Sequence, residues 1–306
     1  MSPPGSFSWN LWQDVQGLFS YPFMVHALAA GTIVAVLAAL VGWFMVLRHQ
    51  SFAGHTLALV GFPGAAGAAL LGISVSYGYF GGAILAALAI ALLPGGGGMR
   101  RGEESAVTGT VQAFVLACGF LFVALYPGFV SGLNALLFGS FLGISLTQVF
   151  VLLGAALVVL ALLTLLGRPL FFASLDPQAA EARGVPVRAL SSAFLLLLAV
   201  AVAEVSQITG ALLVFALLVM PAAAAQRLTA RPALSLILAV VIGLIVTWLA
   251  LAVAFYTPYP VGFFVTTFGF AIYLLAALYT VAQGKLTRIS QGELSAGMGA
   301  PSRMSR

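Results

Sequence analysis

Charged residues are scarce in this chain of 306 residues. Only 6% of them are Asp, Glu, Lys or Arg, against about a quarter in a soluble globular domain. Hydrophobic residues make up 62% of the sequence, and the mean hydropathy is +1.14. Polar residues are therefore too few to cover even one water-soluble domain. These proportions exclude a soluble fold and indicate a protein whose surface faces lipid.

Cysteine is nearly absent too, because Cys118 is the single example and lies in an apolar run. A disulfide framework and a four-cysteine metal site are both excluded. Basic residues outnumber acidic ones by 12 to 7, but they are scattered in ones, twos and threes between apolar runs. This pattern argues against nucleic-acid binding and is typical of residues that mark membrane topology.

Motifs of common enzyme classes are missing as well. We find no serine nucleophile elbow, no HExxH helix, no paired intramembrane aspartates and no GxxxxGK[ST] phosphate loop. The glycine run 95–98 is not followed by Lys-Ser or Lys-Thr, so it predicts a flexible loop and not an ATP site. We therefore expect a protein that is not an enzyme and that binds no cofactor of its own.

Long apolar runs are what the sequence does contain. A bilayer core of about 30 Å requires roughly 20 helical residues to cross it. We count nine runs of about this length, and eight would also fit because the sixth is short. The sequence predicts an all-α, polytopic bundle of transmembrane helices. The predicted spans are 23–47, 53–72, 77–94, 106–126, 146–167, 190–205, 208–226, 233–256 and 262–283.

The positions of the basic residues predict how the chain is oriented. All 12 Lys and Arg residues follow an odd-numbered span, and the loops on the other side contain none. Cytoplasmic loops retain Lys and Arg, so we expect a multi-pass protein of the cytoplasmic membrane with its N-terminus outside. The chain then divides into an extracytoplasmic segment 1–22, a transmembrane domain 23–285 and a disordered cytoplasmic tail 286–306.

Two apolar segments are not simple spanning helices. The second span contains Gly61, Pro63 and Gly64, and proline removes a backbone hydrogen bond that lipid cannot replace. We expect the helix to break there and to face protein or a cavity. The stretch 131–143 is apolar but too short to cross. It predicts a surface-lying or re-entrant helix on the outer side.

The longest cytoplasmic connection, residues 168–189, carries signals for one short helix. Asp176 is a helix-start residue, Pro177 suits the first turn, and Gly184 is a glycine stop. These signals predict a helix over about 177–183, displayed to the cytoplasm.

Polar side chains inside the spans are few, and such groups usually face a pathway. The candidates are His55, Glu204 and Gln207. Neutral imidazole is a common ligand of zinc and manganese, so His55 is the candidate metal ligand. The alternative is a histidine hydrogen-bonded to neighbouring backbone. Glu204 lies near the outer end of the sixth span, where we expect an ordinary exposed carboxylate.

Three segments, in this order, resemble the permease subunits of ATP-binding-cassette (ABC) importers of the zinc, manganese and iron type. Arg48–Gly64 (RHQSFAGHTLALVGFPG) is similar to the family pattern after the first span. Leu175–Arg188 (LDPQAAEARGVPVR) resembles the family's cytoplasmic Asp-Pro-x-x-Ala…Gly-x-Pro loop. Gln207–Ala225 (QITGALLVFALLVMPAAAA) resembles its Gln-x-x-Gly…Leu-Leu-x-x-Pro-Ala-Ala signature. Order and spacing agree over about residues 23–283.

The resemblance implies a transport subunit that moves a divalent metal ion. It implies a pathway between two permease chains, a cytoplasmic ATPase subunit under each, and an extracellular or lipid-anchored solute-binding protein. The short cytoplasmic helix would dock in a groove of the ATPase, although such a helix could also rest on lipid headgroups. The coupling residues implied are Asp176, Pro177, Ala180, Gly184 and Pro186.

The chain departs from the family pattern in the second span. Many members that import manganese or zinc have Asp directly after the glycine and His four residues later, whereas this chain has His55 and Leu59. The metal therefore stays open, and a metal chelate or another small solute is an alternative substrate. An ion-coupled secondary transporter would need ionisable residues near mid-membrane and often an internal repeat, and we find neither. A membrane subunit with no transport role is the third alternative.

Overall fold

The computed structural model describes residues 16–92, 101–126, 143–210 and 214–298. Within these ranges the regular structure is helical, and no strand is present. The helices are α1 (Pro22–Leu47), α2 (Ser51–Leu70), α3 (Val75–Leu92), α4 (Arg101–Leu125), α5 (Leu146–Leu175), α6 (Pro177–Ala182), α7 (Val187–Thr209), α8 (Val214–Leu228), α9 (Pro232–Tyr256) and α10 (Val261–Met298).

Eight helices in the described residues are long and apolar enough to cross a membrane, which confirms the predicted all-α bundle. The prediction of nine full spans is corrected at 208–226. That stretch contains the end of α7, Gly210 with a left-handed φ of 77°, and most of α8, which has 15 residues. At 1.5 Å per residue α8 covers about 22 Å, less than the bilayer core. Apolar composition runs through both helices and conceals the end of α7 at Gly210.

Side-chain contacts show which helix ends lie together. At one end of the bundle the Trp43 indole at the end of α1 donates to the Ser235 hydroxyl at the start of α9, at 2.9 Å. The Gln226 amide of α8 donates to the Trp43 carbonyl at 2.8 Å. At the other end, the Tyr21 ring lies 5.5 Å from that of Phe255 at the end of α9. We call these the Trp43 end and the Tyr21 end.

Helix α2 is held by glycine contacts with α3 and α4. A Cβ atom added at Gly64 would collide with the Gly78 carbonyl oxygen, and one added at Gly119 would lie 2.7 Å from Cγ of Pro63. The helix does not break at Gly61, Pro63 and Gly64, in contrast to our expectation, because α2 is one helix that contains Pro63. Pro63 is buried, as expected. Close packing of neighbouring helices lets a membrane helix tolerate the lost hydrogen bond.

The C-terminal helix differs from the predicted division of the chain. Helix α10 continues to Met298, past residue 285, where we expected the transmembrane domain to give way to a disordered tail. Three predicted features lie outside the described residues: the N-terminal segment up to residue 15, the glycine run 95–98, and the stretch 131–143 apart from Gly143.

Candidate functional site

The short helix α6 forms where the sequence predicts it, because its start and stop signals are local. The Asp176 carboxylate accepts a hydrogen bond from the Ala179 N–H at 2.9 Å, Pro177 is the first helical residue, and Gly184 has a φ of 80°. Four of the five predicted coupling residues are exposed, whereas Ala180 is fully buried. Ala180 therefore anchors α6 to the bundle, and the exposed four are Asp176, Pro177, Gly184 and Pro186.

Arg48, in the turn between α1 and α2, joins this loop to the rest of the bundle. Its guanidinium donates to the Ser174 hydroxyl at 3.1 Å and to the Ser191 hydroxyl at 2.6 Å, and it lies 5.4 Å from the centre of the Phe194 ring. Ser174 is in the last turn of α5 and Ser191 in the first turns of α7, so Arg48 bridges the two helices that flank α6.

Sequence reasoning missed this role, since we treated Arg48 as a topology marker within a family segment. The isolation of Arg48 in the sequence could have indicated this role, because no other Lys or Arg occurs in the first 99 residues. A lone arginine between two apolar helices has few ways to be solvated and tends to bind polar groups of neighbouring helix ends.

His55 lies on the first half of α2, on a face that is only half-buried. Its imidazole packs edge-on against the Phe215 ring of α8, with 5.1 Å between ring centres. The Nδ1 atom is buried and has no hydrogen-bond partner among the described residues. This leaves Nδ1 without the backbone hydrogen bond of a purely structural histidine. Leu59, one turn further along, is half-buried on the same face.

No group of three or more His, Cys, Asp or Glu side chains that could hold a metal ion occurs in the described part of the chain. His55 therefore has no metal-ligand cluster around it within this chain's described residues. Zinc usually takes four protein or water ligands, and manganese favours several oxygen ligands. A metal ion that binds at His55 would need further ligands from water or from another chain.

Glu204, near the end of α7, is fully buried at 0% exposure. Neither carboxylate oxygen has a hydrogen-bond partner among the described residues. Our expectation of an ordinary exposed carboxylate is therefore wrong. Position near a span end suggested exposure, but α7 is covered by α1, α2, α3 and α5.

A cavity of about 280 Å³ lies between the first turns of α3 and α5 and the last turn of α7. Gln207 lies in its wall, one helical turn beyond Glu204. The lining residues are Ser74, Ser76, Tyr77, Ile144, Thr147, Gln148, Val151, Leu152, Gln207 and Ile208.

Comparison with known proteins identifies the family of this chain. The sequence model of the ABC-3 family, described as "ABC 3 transport family", matches residues 20–280. The chain belongs to the ABC 3 transport family. It is therefore a multi-pass membrane permease of an ABC importer, a transport subunit without a catalytic role. This confirms the resemblance that the three segments carry.

Individual relatives of this ABC 3 permease match over nearly the whole chain. The manganese transport system membrane protein MntC of Halalkalibacterium halodurans is 30% identical over 285 residues, which cover 93% of this chain and 97% of the relative. The chelated iron transport system membrane protein YfeC of Yersinia pestis is 31% identical over 268 residues, covering 88% and 90%. The solved structure of PsaBC from Streptococcus pneumoniae in complex with Fab has the same fold, with a TM-score of 0.76 and 24% identity over 87% of this chain and 95% of that one.

The three segments that carry the resemblance meet in the folded ABC 3 permease. Arg48 of the first segment donates to Ser174 and Ser191, which lie just before and just after the second segment. His55 connects the first segment to the third through Phe215 of α8. Helix α2 and its preceding turn therefore contact both the predicted coupling loop and the helix that carries the Pro-Ala-Ala signature.

Proposed function

We propose that this permease imports a divalent metal ion, manganese, iron or zinc, with energy from a separate ATPase subunit. The observation that carries the proposal is the half-buried His55 imidazole, whose Nδ1 has no hydrogen-bond partner among the described residues. An imidazole nitrogen with no other partner is a suitable metal ligand. Relatives whose names state manganese or chelated iron transport support the same substrate class.

The distribution of basic residues supports the orientation of the permease. Arg48, Arg188, Arg227 and Arg231 all lie at or next to the helix ends that meet at the Trp43 end. Cytoplasmic loops are enriched in Lys and Arg, so the Trp43 end is the cytoplasmic one. The Tyr21 end, with the N-terminus, then faces outward and receives the ion from a solute-binding protein.

Helix α6 then lies on the cytoplasmic side, where an ATPase subunit binds. Its exposed residues Asp176, Pro177 and Gly184 form the docking surface, and buried Ala180 fixes α6 to the permease. When ATP binding displaces α6, Arg48 transmits the displacement to the start of α2 through Ser174 and Ser191. The movement reaches His55 within two turns of that helix.

A second permease chain completes the pathway. One chain offers a single candidate metal ligand in its described α2 residues, and a transported ion needs more. A pathway lined by the α2 helices of two chains would contain a candidate ligand from each chain. The second chain can be another copy or a homologue.

The test is uptake by the permease and its ATPase reconstituted in liposomes, with Mn²⁺, Zn²⁺ and Fe²⁺ each supplied alone and as a chelate. His55→Ala should reduce uptake of the free ion, and the double change His55→Asp with Leu59→His should strengthen uptake of manganese or zinc. His26→Ala, which removes a half-buried histidine at the Tyr21 end, serves as the control.

Three results would contradict parts of the proposal. If His55→Ala imports all three metals at the parental rate, His55 is a structural histidine. If uptake proceeds without ATP and follows a proton or sodium gradient, the ion-coupled alternative is correct. Uptake of the chelate alone would identify a chelate importer.

A further inference from the structure

Glu204 is the one acidic residue of α7, and its carboxylate has no partner in the part of the chain that the structure describes. The carboxylate is 0% exposed, and both of its oxygens lack hydrogen bonds among the described residues. Transfer of an ionised carboxylate into an apolar interior is costly unless a cation or hydrogen-bond donors accompany it. Packing alone does not explain the residue, since leucine would fill the same space at lower cost.

The described helices that cover α7 supply no cation near this carboxylate. Helices α1, α2 and α3 contain no Lys or Arg, and α5 has none before Arg168 near its other end. Helix α7 itself has only Arg188, in its first turn. The titratable groups of these helices are the histidines His26 and His55 and the phenols Tyr77 and Tyr79.

The register of α7 places Glu204 beneath the cavity at the Tyr21 end. Gln207 and Ile208 follow Glu204 by three and four residues, so all three share one helix face. Both Gln207 and Ile208 line the cavity of about 280 Å³. One helical turn, about 5.4 Å along the axis, therefore separates the glutamate backbone from the cavity wall.

The polar groups around this cavity are suited to a hard cation. Its lining contains four hydroxyl-bearing residues and two glutamines but no histidine, cysteine or methionine. The side-chain amide nitrogen of Gln207 donates to the Ala203 backbone carbonyl of the same helix at 3.4 Å. The side-chain oxygen of Gln207 is therefore the atom that can coordinate a cation. Oxygen ligands together with one carboxylate are the set that Mn²⁺, Mg²⁺ and Ca²⁺ prefer. The hydroxyl-bearing residues are Ser74, Ser76, Tyr77 and Thr147.

We propose that Glu204 and the side-chain oxygen of Gln207 form a second cation site, within one chain, that takes a hard divalent cation entering through this cavity. The site lies at the outward end, on the opposite half of the bundle from His55. The cation neutralises the buried carboxylate, and water and cavity hydroxyls complete its coordination. This inference rests on the proposed import function, because it gives the incoming ion an oxygen-rich site before it reaches the imidazole.

The test measures Mn²⁺ binding to the purified complex of permease and ATPase in nanodiscs, without ATP, by electron paramagnetic resonance. Glu204→Gln keeps the shape of the side chain and removes its charge, so it should weaken Mn²⁺ binding by about 10- to 100-fold, the range typical of lost support at a metal site. Glu204→Asp should weaken it less. For binding only, Glu181→Gln is the control, because it neutralises an exposed carboxylate on α6.

A second variant covers the case in which Glu204→Gln does not assemble. Gln207→Leu removes the proposed amide ligand at a half-buried position and should also weaken Mn²⁺ binding while the carboxylate remains. Unchanged affinity and stoichiometry in Glu204→Gln, or in Gln207→Leu when only that variant assembles, would overturn the site. A glutamate that is simply protonated and structural would give this result.

Uptake separates this inference from the proposed function. If the parent complex imports Mn²⁺ and both variants bind and import it with parental apparent affinity, the second site is wrong and the importer stands. If the parent complex imports no metal but its Mn²⁺ binding depends on Glu204, the site is correct and the proposed function is wrong.

Discussion

Gly184 offers a graded test of whether the ATPase recognises the shape of the α6 loop. Its φ of 80° lies in the left-handed region, and a Cβ atom added there would meet no other atom within 4 Å. A substitution therefore changes only the backbone preference and causes no steric clash. Left-handed geometry costs a residue with a side chain about 1–2 kcal/mol. Asparagine tolerates it best and β-branched valine worst, so the expected order of damage is Asn, Ala, Val.

The conformational cost of each substitution at Gly184 sets an upper limit on the loss of affinity for the ATPase. A penalty of 1–2 kcal/mol lowers the population of the native turn about 5- to 30-fold relative to its alternatives. If only the native turn binds the ATPase, the apparent dissociation constant equals the intrinsic one divided by the fraction of permease molecules that have the native turn. We expect a small change for Gly184→Asn, an intermediate one for Gly184→Ala and the largest, up to about 30-fold, for Gly184→Val.

The assay titrates labelled ATPase onto permease in nanodiscs and compares the dissociation constants. Gly154→Ala is the matched control, since Gly154 of α5 also has no atom within 4 Å of an added Cβ but has no left-handed φ. It should bind the ATPase like the parent. Equal binding by the Asn, Ala and Val variants, with normal membrane insertion, would refute the reasoning and favour a helix that rests on lipid headgroups.

Two further predictions concern topology and coupling. Single cysteines introduced in the outer loops should react with an impermeant maleimide added outside intact cells, and those introduced in cytoplasmic segments should not; reversed labelling at any two sites would defeat the orientation. Arg48→Ala removes, among its other contacts, the hydrogen bonds that the charged guanidinium donates to Ser174 and Ser191, worth about 1.5–3 kcal/mol each. It should lower the metal transported per ATP hydrolysed while ATPase binding stays parental, and Arg48→Lys should be intermediate; an unchanged ratio would remove Arg48 from the coupling route. The outer labelling sites are Ser131 and Pro258, and the cytoplasmic ones are Gly97 and Ser290.

Sequence patterns predicted those features that depend on neighbouring residues along the chain. The α6 helix was predicted to within a residue at its end because a cap, a first-turn proline and a left-handed glycine act within a few positions. The spans were located because crossing a bilayer sets their length and composition. The same composition rule hid the turn at Gly210, since apolar residues continue on both sides of it.

The features that sequence reasoning missed depend on contacts between distant segments. Burial of Glu204 follows from the helices that surround α7, and its position near a span end gave no sign of them. Ser174 and Ser191, through which Arg48 bridges α5 and α7, are more than 100 residues away from it along the chain. The continuity of α2 through Pro63 likewise follows from contact with Gly119 of α4. Local pattern rules carry no information on such pairings.

The glycine contacts between α2 and α3 have a mechanical consequence. Gly64 approaches Gly78 and Gly82 so closely that an added Cβ would collide with backbone atoms, which leaves no layer of flexible side chains for the two helices to slide on. We expect α2 and α3 to tilt as one lever, as packed elements do in rigid-body transitions. If the lever pivots near Gly64, displacement of α2 at Ser51 swings the cavity wall formed by Ser74, Ser76 and Tyr77 the opposite way. Opening at one side of the membrane would then close the other.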